Sequence, residues 1–145
     1  MKKVNRLMLI NGPNLNLLGT REPGIYGSHT LSDVVAEVKK VTDSFDYELE
    51  DFQSNHEGAM VDKIQEAGRT CSGIILNAAA YTHTSIAIRD AIASIPIPVI
   101  EVHISNIHTR EEFRHHSMLA SVCKAQIVGL GIKGYRYAAM ALLEK

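Results

Sequence analysis

The sequence predicts an α/β fold, a five-stranded parallel sheet with helices on both faces. Two observations carry that expectation. Short apolar runs alternate with stretches of helical periodicity along the chain, the pattern of strands joined by crossover helices. The 145 residues, 46% hydrophobic and 21% charged, suit one compact domain, 1–145, with a real core.

Residues 6–11 (RLMLIN) read as a buried strand. A helix over 31–43 follows, with Leu31, Val34, Val35, Val38 and Val41 on one face and with Thr30 and Asp33 spaced to cap its start. Residues 47–53 form the second strand. Ser54 and Glu57 repeat the capping pattern before a helix to about Arg69. The third strand is 73–77 (GIILN), the third helix 84–94, and the fourth strand 98–103 (PVIEVH). Thr109 and Glu112 again have capping-box spacing before a short helix. Residues 126–128 form a fifth strand and 132–143 the closing helix. Right-handed crossovers leave few topologies, and a flavodoxin-like sheet fits best. Ligands of such sheets bind beyond the carboxyl ends of the strands.

A formal charge of −1 gives no field that would recruit nucleic acid or an anionic membrane, so an anionic small molecule would be held by a few placed arginines. The N-terminal stretch lacks the apolar core and cleavage site of a signal peptide, and no apolar run is long enough to span a bilayer. Cys71 and Cys123 are too few and too far apart for a zinc ribbon or a CxxC pair. They read as reduced thiols, and the chain as cytoplasmic.

All of the first four strands end in polar residues: Asn11 with Asn14, Gln53 with Asn55 and His56, Asn77 with His83, and Glu101 with His103, Ser105 and Asn106. Asparagine and serine serve turns and caps anywhere. Their convergence on one sheet edge points to a site. Glu101 and His103 stand two apart on a strand, so they leave the same face, and a carboxylate there can fix which ring nitrogen holds the proton. Residues 12–29 are too long for an ordinary connection, and 19–29 have the glycines of a lid carrying Arg21, Glu22 and Tyr26. A surface tyrosine with a solvated arginine would look the same.

Residues 129–134 (GLGIKG) match the dinucleotide fingerprint GxGxxG. The βαβ unit and the acidic residue about 20 positions on that the fingerprint needs do not follow, so these glycines are expected to serve a tight turn into the last helix. No HExxH, GxSxG or P-loop occurs, and the histidines have no metal-ligand spacing. No lysine lies at a carboxyl strand end to form an imine. No metal and no cofactor are expected.

Four blocks together resemble the type II 3-dehydroquinate dehydratases. They are 9–19 (LINGPNLNLLG) with Arg21-Glu22-Pro23 and Tyr26-Gly27; Gln53-Ser54-Asn55-His56-Glu57-Gly58; Ala80-Tyr81-Thr82-His83-Thr84-Ser85 with Asp90; and 101–106 (EVHISN) with Arg110-Glu111 and Phe113-Arg114. The likeness covers nearly the whole chain in order. The resemblance implies anti elimination of water from 3-dehydroquinate through an enolate, in aromatic biosynthesis or quinate breakdown. It implies Tyr26 as base, Arg21 as its cation, His103 as acid, Glu101 as the group orienting it, and Asn14 as holder of a water at the enolate oxygen. It also implies Asn77, His83, Arg114 and the backbone of Ile104 and Ser105 as substrate-binding, with Asp90 reaching a neighbouring subunit's site in a homododecamer, a tetramer of trimers. One departure stands out. Ala78-Ala79 replace the family's usual proline followed by glycine or alanine, and alanine does not comfortably adopt positive φ. A different reading is a flavodoxin-like module that binds a nucleotide or small anion without turnover. A hydrolase built on His83 and Asp90 would lack an evident nucleophile.

Overall fold

The computed structural model describes residues 5–20 and 22–145, and of Pro23 and Tyr26 the backbone. Five parallel strands, β1 (Arg6–Asn11), β2 (Glu48–Gln53), β3 (Gly73–Asn77), β4 (Val99–His103) and β5 (Ala125–Val128), form one sheet in the order β2-β1-β3-β4-β5. This is the flavodoxin-like order, and every predicted strand is present. The helices are α1 (Pro23–Tyr26), α2 (Leu31–Ser44), α3 (Glu57–Thr70), α4 (Ile86–Ala93) and α5 (Lys133–Leu143).

Strands buried on both faces favour successive apolar residues, which is why residues 7–10 of β1 and 74–76 of β3 read as continuous runs, while β4 is also buried throughout but carries Glu101 and His103. Along β1, Met8 and Ile10 face α3 and α4, packing with Met60, Ile64, Ile88 and Ile92. Leu7 and Leu9 face α2 and α5, packing with Val34, Val38, Ala138 and Ala139. Each fully buried leucine or isoleucine contributes roughly 1.5–3 kcal/mol, so the two half-cores hold the sheet rigid between them. Among the described residues no helix is long and apolar enough to cross a membrane.

Of the three expected capping boxes, one forms. Thr30 Oγ1 accepts from the Asp33 N–H at 3.3 Å, and Asp33 Oδ2 accepts from the Thr30 N–H at 2.9 Å. The Ser54 hydroxyl instead accepts from the N–H of His56, and the Glu57 carboxylate accepts from the Ser85 hydroxyl, so both side chains are diverted from the start of α3. After β4 the Thr109 and Glu112 pattern yields two single 3-10 turns, Ile107–Thr109 and Glu112–Arg114. There Asn106 caps the first turn by accepting from His108 N–H. The third helix starts at Ile86 rather than 84, because the Ser85 hydroxyl accepts from Ile88 N–H and ends the preceding 3-10 turn, Ala79–His83.

Parallel register lines up the strand ends. Asn11 stands opposite Gln53 on one side and Asn77 on the other. Beyond them β1 and β3 stay in touch. The Gly12 N–H donates to the Asn77 carbonyl at 2.7 Å, and a Cβ on Gly12 would lie 2.6 Å from the Ala78 carbonyl oxygen. Glycine is required there by the close approach of two backbones.

Candidate active site

A pocket of about 130 Å³ opens at the carboxyl ends of β1, β3 and β4. Its wall includes Asn14, Asn77, His83, His103, Ile104, Ser105 and Arg114, all seven proposed from sequence. It adjoins an open cleft of about 940 Å³, with which it shares Ile104, Ser105 and Arg110. Glu22, Gly24, Ile25, Gly27 and His29 also line that cleft, so this segment stands beside the pocket. Arg21 and the side chain of Tyr26 lie outside the described residues.

His103 forms the floor. Its Nε2 meets Glu101 Oε2 at 2.5 Å. A carboxylate only accepts, so this nitrogen carries a proton and Nδ1 is the one not committed to Glu101. Glu101 is 0% exposed. Burial alone would raise its pKa. The hydrogen bond and charge of His103, with hydrogen bonds from Gln126 and Ser117, outweigh burial and hold it below the ordinary carboxylate value. Gln126 Nε2 donates to Oε2 at 3.1 Å, and the Ser117 hydroxyl lies 3.0 and 2.9 Å from the two oxygens. That hydroxyl in turn accepts from the N–H groups of Leu119 and Ala120. A buried charge with this many donors is held in one orientation.

His83 Nδ1 lies 2.9 Å from the His116 carbonyl, an acceptor only, so Nδ1 holds the proton and Nε2 remains as an acceptor. Burial depresses its pKa below the ordinary histidine value, helped by the charges of His103 and Arg114, while the His116 carbonyl opposes. Asn14 has a left-handed backbone, φ 69, which asparagine tolerates better than most residues. Its N–H donates to Asn55 Oδ1 at 3.0 Å, and that oxygen also accepts from Gln53. The amides at the end of β2 thus brace the Asn14 loop from outside the pocket. Tyr81 does similar work, its hydroxyl donating to the Asn55 carbonyl. Arg114 is steadied by Glu111, 3.0 Å from its Nε.

Asp90, also proposed, lies away from the pocket wall; it sits on α4, largely exposed, paired with Arg89. Arg110 lines the pocket and was absent from the sequence-derived site, although it stands in the quoted fourth block. Ser117 and Gln126 were also missed. Gln126 faces Glu101 across the β4–β5 pairing, a signal readable only once that pairing is known. Among the described residues no group of three or more His, Cys, Asp or Glu side chains is arranged to hold a metal.

Residues 5–143 match the family model "Dehydroquinase class II". The chain belongs to that family. Proteins named 3-dehydroquinate dehydratase from Bacillus cereus (strain AH187) and Bacillus anthracis (strain A0248) are 60% identical to it over 145 residues, spanning 100% of this chain and 97% of theirs. The type II dehydroquinase structure from Butyrivibrio crossotus superposes with a TM-score of 0.93 at 52% identity, covering 96% of this chain and 97% of that one. The type II dehydroquinase of Propionibacterium acnes gives 0.92 at 40% identity over 100% of both chains. Membership at full length displaces the reading of a non-catalytic binding module. The GxGxxG stretch runs from the turn after the last strand into the first residues of α5, with Gly129 and Gly131 at positive φ.

Proposed function

We infer that this protein is a 3-dehydroquinate dehydratase of the type II class, eliminating water from 3-dehydroquinate to give 3-dehydroshikimate. The observation that carries the reading is the Glu101–His103 pair buried beneath a pocket rimmed by Arg114 and by the Asn14, Asn77 and His83 side chains, in a chain of this family.

In the proposed mechanism the Tyr26 phenolate removes the C2 proton beside the ketone, and the electrons move into an enolate. A tyrosine ionises near pH 10, so ionising it at pH 7 costs roughly 4 kcal/mol, which pairing with the Arg21 cation and exclusion of water by a lid would offset in part. A water held by Asn14 donates to the enolate oxygen as charge develops there. The enolate then re-forms its carbonyl and expels the C1 hydroxyl, which takes the Nδ1 proton of a doubly protonated His103 and leaves as water, the ring keeping its Nε2 proton toward Glu101. Glu101 keeps the ring turned so that Nδ1 faces the substrate. Arg114, with the Ile104 and Ser105 backbone, would take the carboxylate, and Asn77 and His83 the ring hydroxyls. Among the described residues no lysine lines the pocket.

We also propose that the chain works in the cytoplasm as a dodecamer of four trimers in which Asp90 borders a neighbour's site. The exposed Phe113, 68% accessible, and Ile86, 59%, are apolar surface available to such contacts.

The test is direct. The product is a conjugated enone that absorbs in the near ultraviolet. Purified protein mixed with 3-dehydroquinate should raise that absorbance with chelator present and after borohydride treatment. Tyr26→Phe should lower the rate by at least about 100-fold, as loss of a general base does. Absence of enone from the unaltered protein would overturn the assignment.

A further inference from the structure

Tyr135 is fully buried, at 0% exposure, and reaches from α5 to the ends of β1 and β3. Its hydroxyl donates to Asn11 Oδ1 at 2.7 Å. With its one hydrogen committed, the oxygen can only accept from Asn77, whose Nδ2 lies 2.8 Å away. Asn77 Oδ1 accepts from the Ala79 N–H at 3.0 Å. Both ends of the Asn77 amide are therefore assigned. A flipped amide would set its oxygen against the lone pairs of the phenol and its NH2 against an N–H. The orientation that remains leaves one Nδ2 hydrogen and one Oδ1 lone pair for the pocket that Asn77 lines.

We infer that Tyr135 is a positioning residue for substrate binding, acting with the Ala79 N–H to fix which end of the Asn77 amide acts as donor in the pocket. The inference rests on the reading of Asn77 as a substrate contact. It also explains the glycine-rich turn. Gly129 and Gly131 adopt φ of 85 and 62, and a Cβ on Gly134 would stand 3.3 Å from side-chain carbons of Ile127 and Val102. These glycines let the first turn of α5 press onto the sheet closely enough for a phenol to reach two strand ends. Tyr135 is not a second candidate base, since burial pushes its ionisation well above the ordinary tyrosine value.

The experiment compares KM and kcat for 3-dehydroquinate in the unaltered protein, Tyr135→Phe, Asn77→Ala and the double variant. Tyr135→Phe should raise KM about tenfold with kcat held within about threefold, and in the Asn77→Ala background it should change KM by less than about twofold. An unchanged KM in Tyr135→Phe, or the same factor in both backgrounds, would overturn the inference. If the unaltered protein forms no enone, the functional reading fails instead. Should Tyr135→Phe not fold, hydrogen exchange at the Asn77 side-chain amide of the unaltered protein decides. One Nδ2 hydrogen should exchange slowly without ligand, and the other should slow only with 3-dehydroshikimate. Two hydrogens that exchange alike, or that ignore the ligand, would sink it.

Discussion

The rings of His83 and His103 are stacked, with centroids 6.3 Å apart and planes 24° from parallel. Burial is the largest cause of the lowered His83 pKa, and the nearby charge of His103 adds to it. His83 should be neutral at pH 7, with Nε2 accepting from a substrate hydroxyl. KM should rise as pH falls through the depressed His83 value, below the ordinary 6.5, by up to about tenfold for one lost hydrogen bond. His83→Gln should flatten that limb, and KM measured across pH checks it.

Glu101 links the site to stability. Its folded pKa lies below the unfolded value of 4.5, so its contribution is complete above that pH and is lost as pH falls through the folded value. Glu101→Ala leaves His103, Ser117 and Gln126 facing a void and should cost about 3–5 kcal/mol at pH 7. Urea unfolding at pH 7 and pH 4 should show the variant losing less stability on acidification than the unaltered protein does.

Ala79 has φ 53, in the left-handed region that alanine does not comfortably adopt. That conformation costs an alanine roughly 1–2 kcal/mol, and glycine gives back about 0.5–1 through the entropy of its unfolded chain. Ala79→Gly should therefore stabilise the protein by about 0.5–1 kcal/mol, measured by thermal or urea unfolding. The Ala79 N–H donates to Asn77 Oδ1 in this conformation.

Gly12→Ala should be severe. The added methyl meets the Ala78 backbone rather than a yielding side chain. Separating the ends of β1 and β3 should cost at least about 3 kcal/mol and remove most activity. Soluble yield and thermal unfolding check it.

Much of this was legible beforehand, and the reasons divide cleanly. The strands were readable because burial on both faces demands unbroken apolar runs, as in Ile74 to Leu76. Site residues at strand ends were readable because the sheet rule fixes which edge to inspect. Interactions between distant segments were not. Ser85 takes the Glu57 carboxylate, Gln126 meets Glu101, and Tyr135 reaches Asn11 across 124 positions, pairings decided by packing rather than by local pattern. The expected Ser54–Glu57 box did not form because Glu57 takes a tertiary partner, the Ser85 hydroxyl, while Ser54 accepts from the N–H of His56 two residues on.

The carboxylate under the floor has one more implication. Dissolved ions cannot approach Glu101, whereas the Arg114 and Arg110 side chains, 22% and 14% accessible, border solvent. Raising the salt concentration shortens the reach of charge at the mouth and leaves the interior field nearly untouched. Capture of an anionic substrate should weaken in concentrated brine while the turnover of molecules already seated continues at its usual pace.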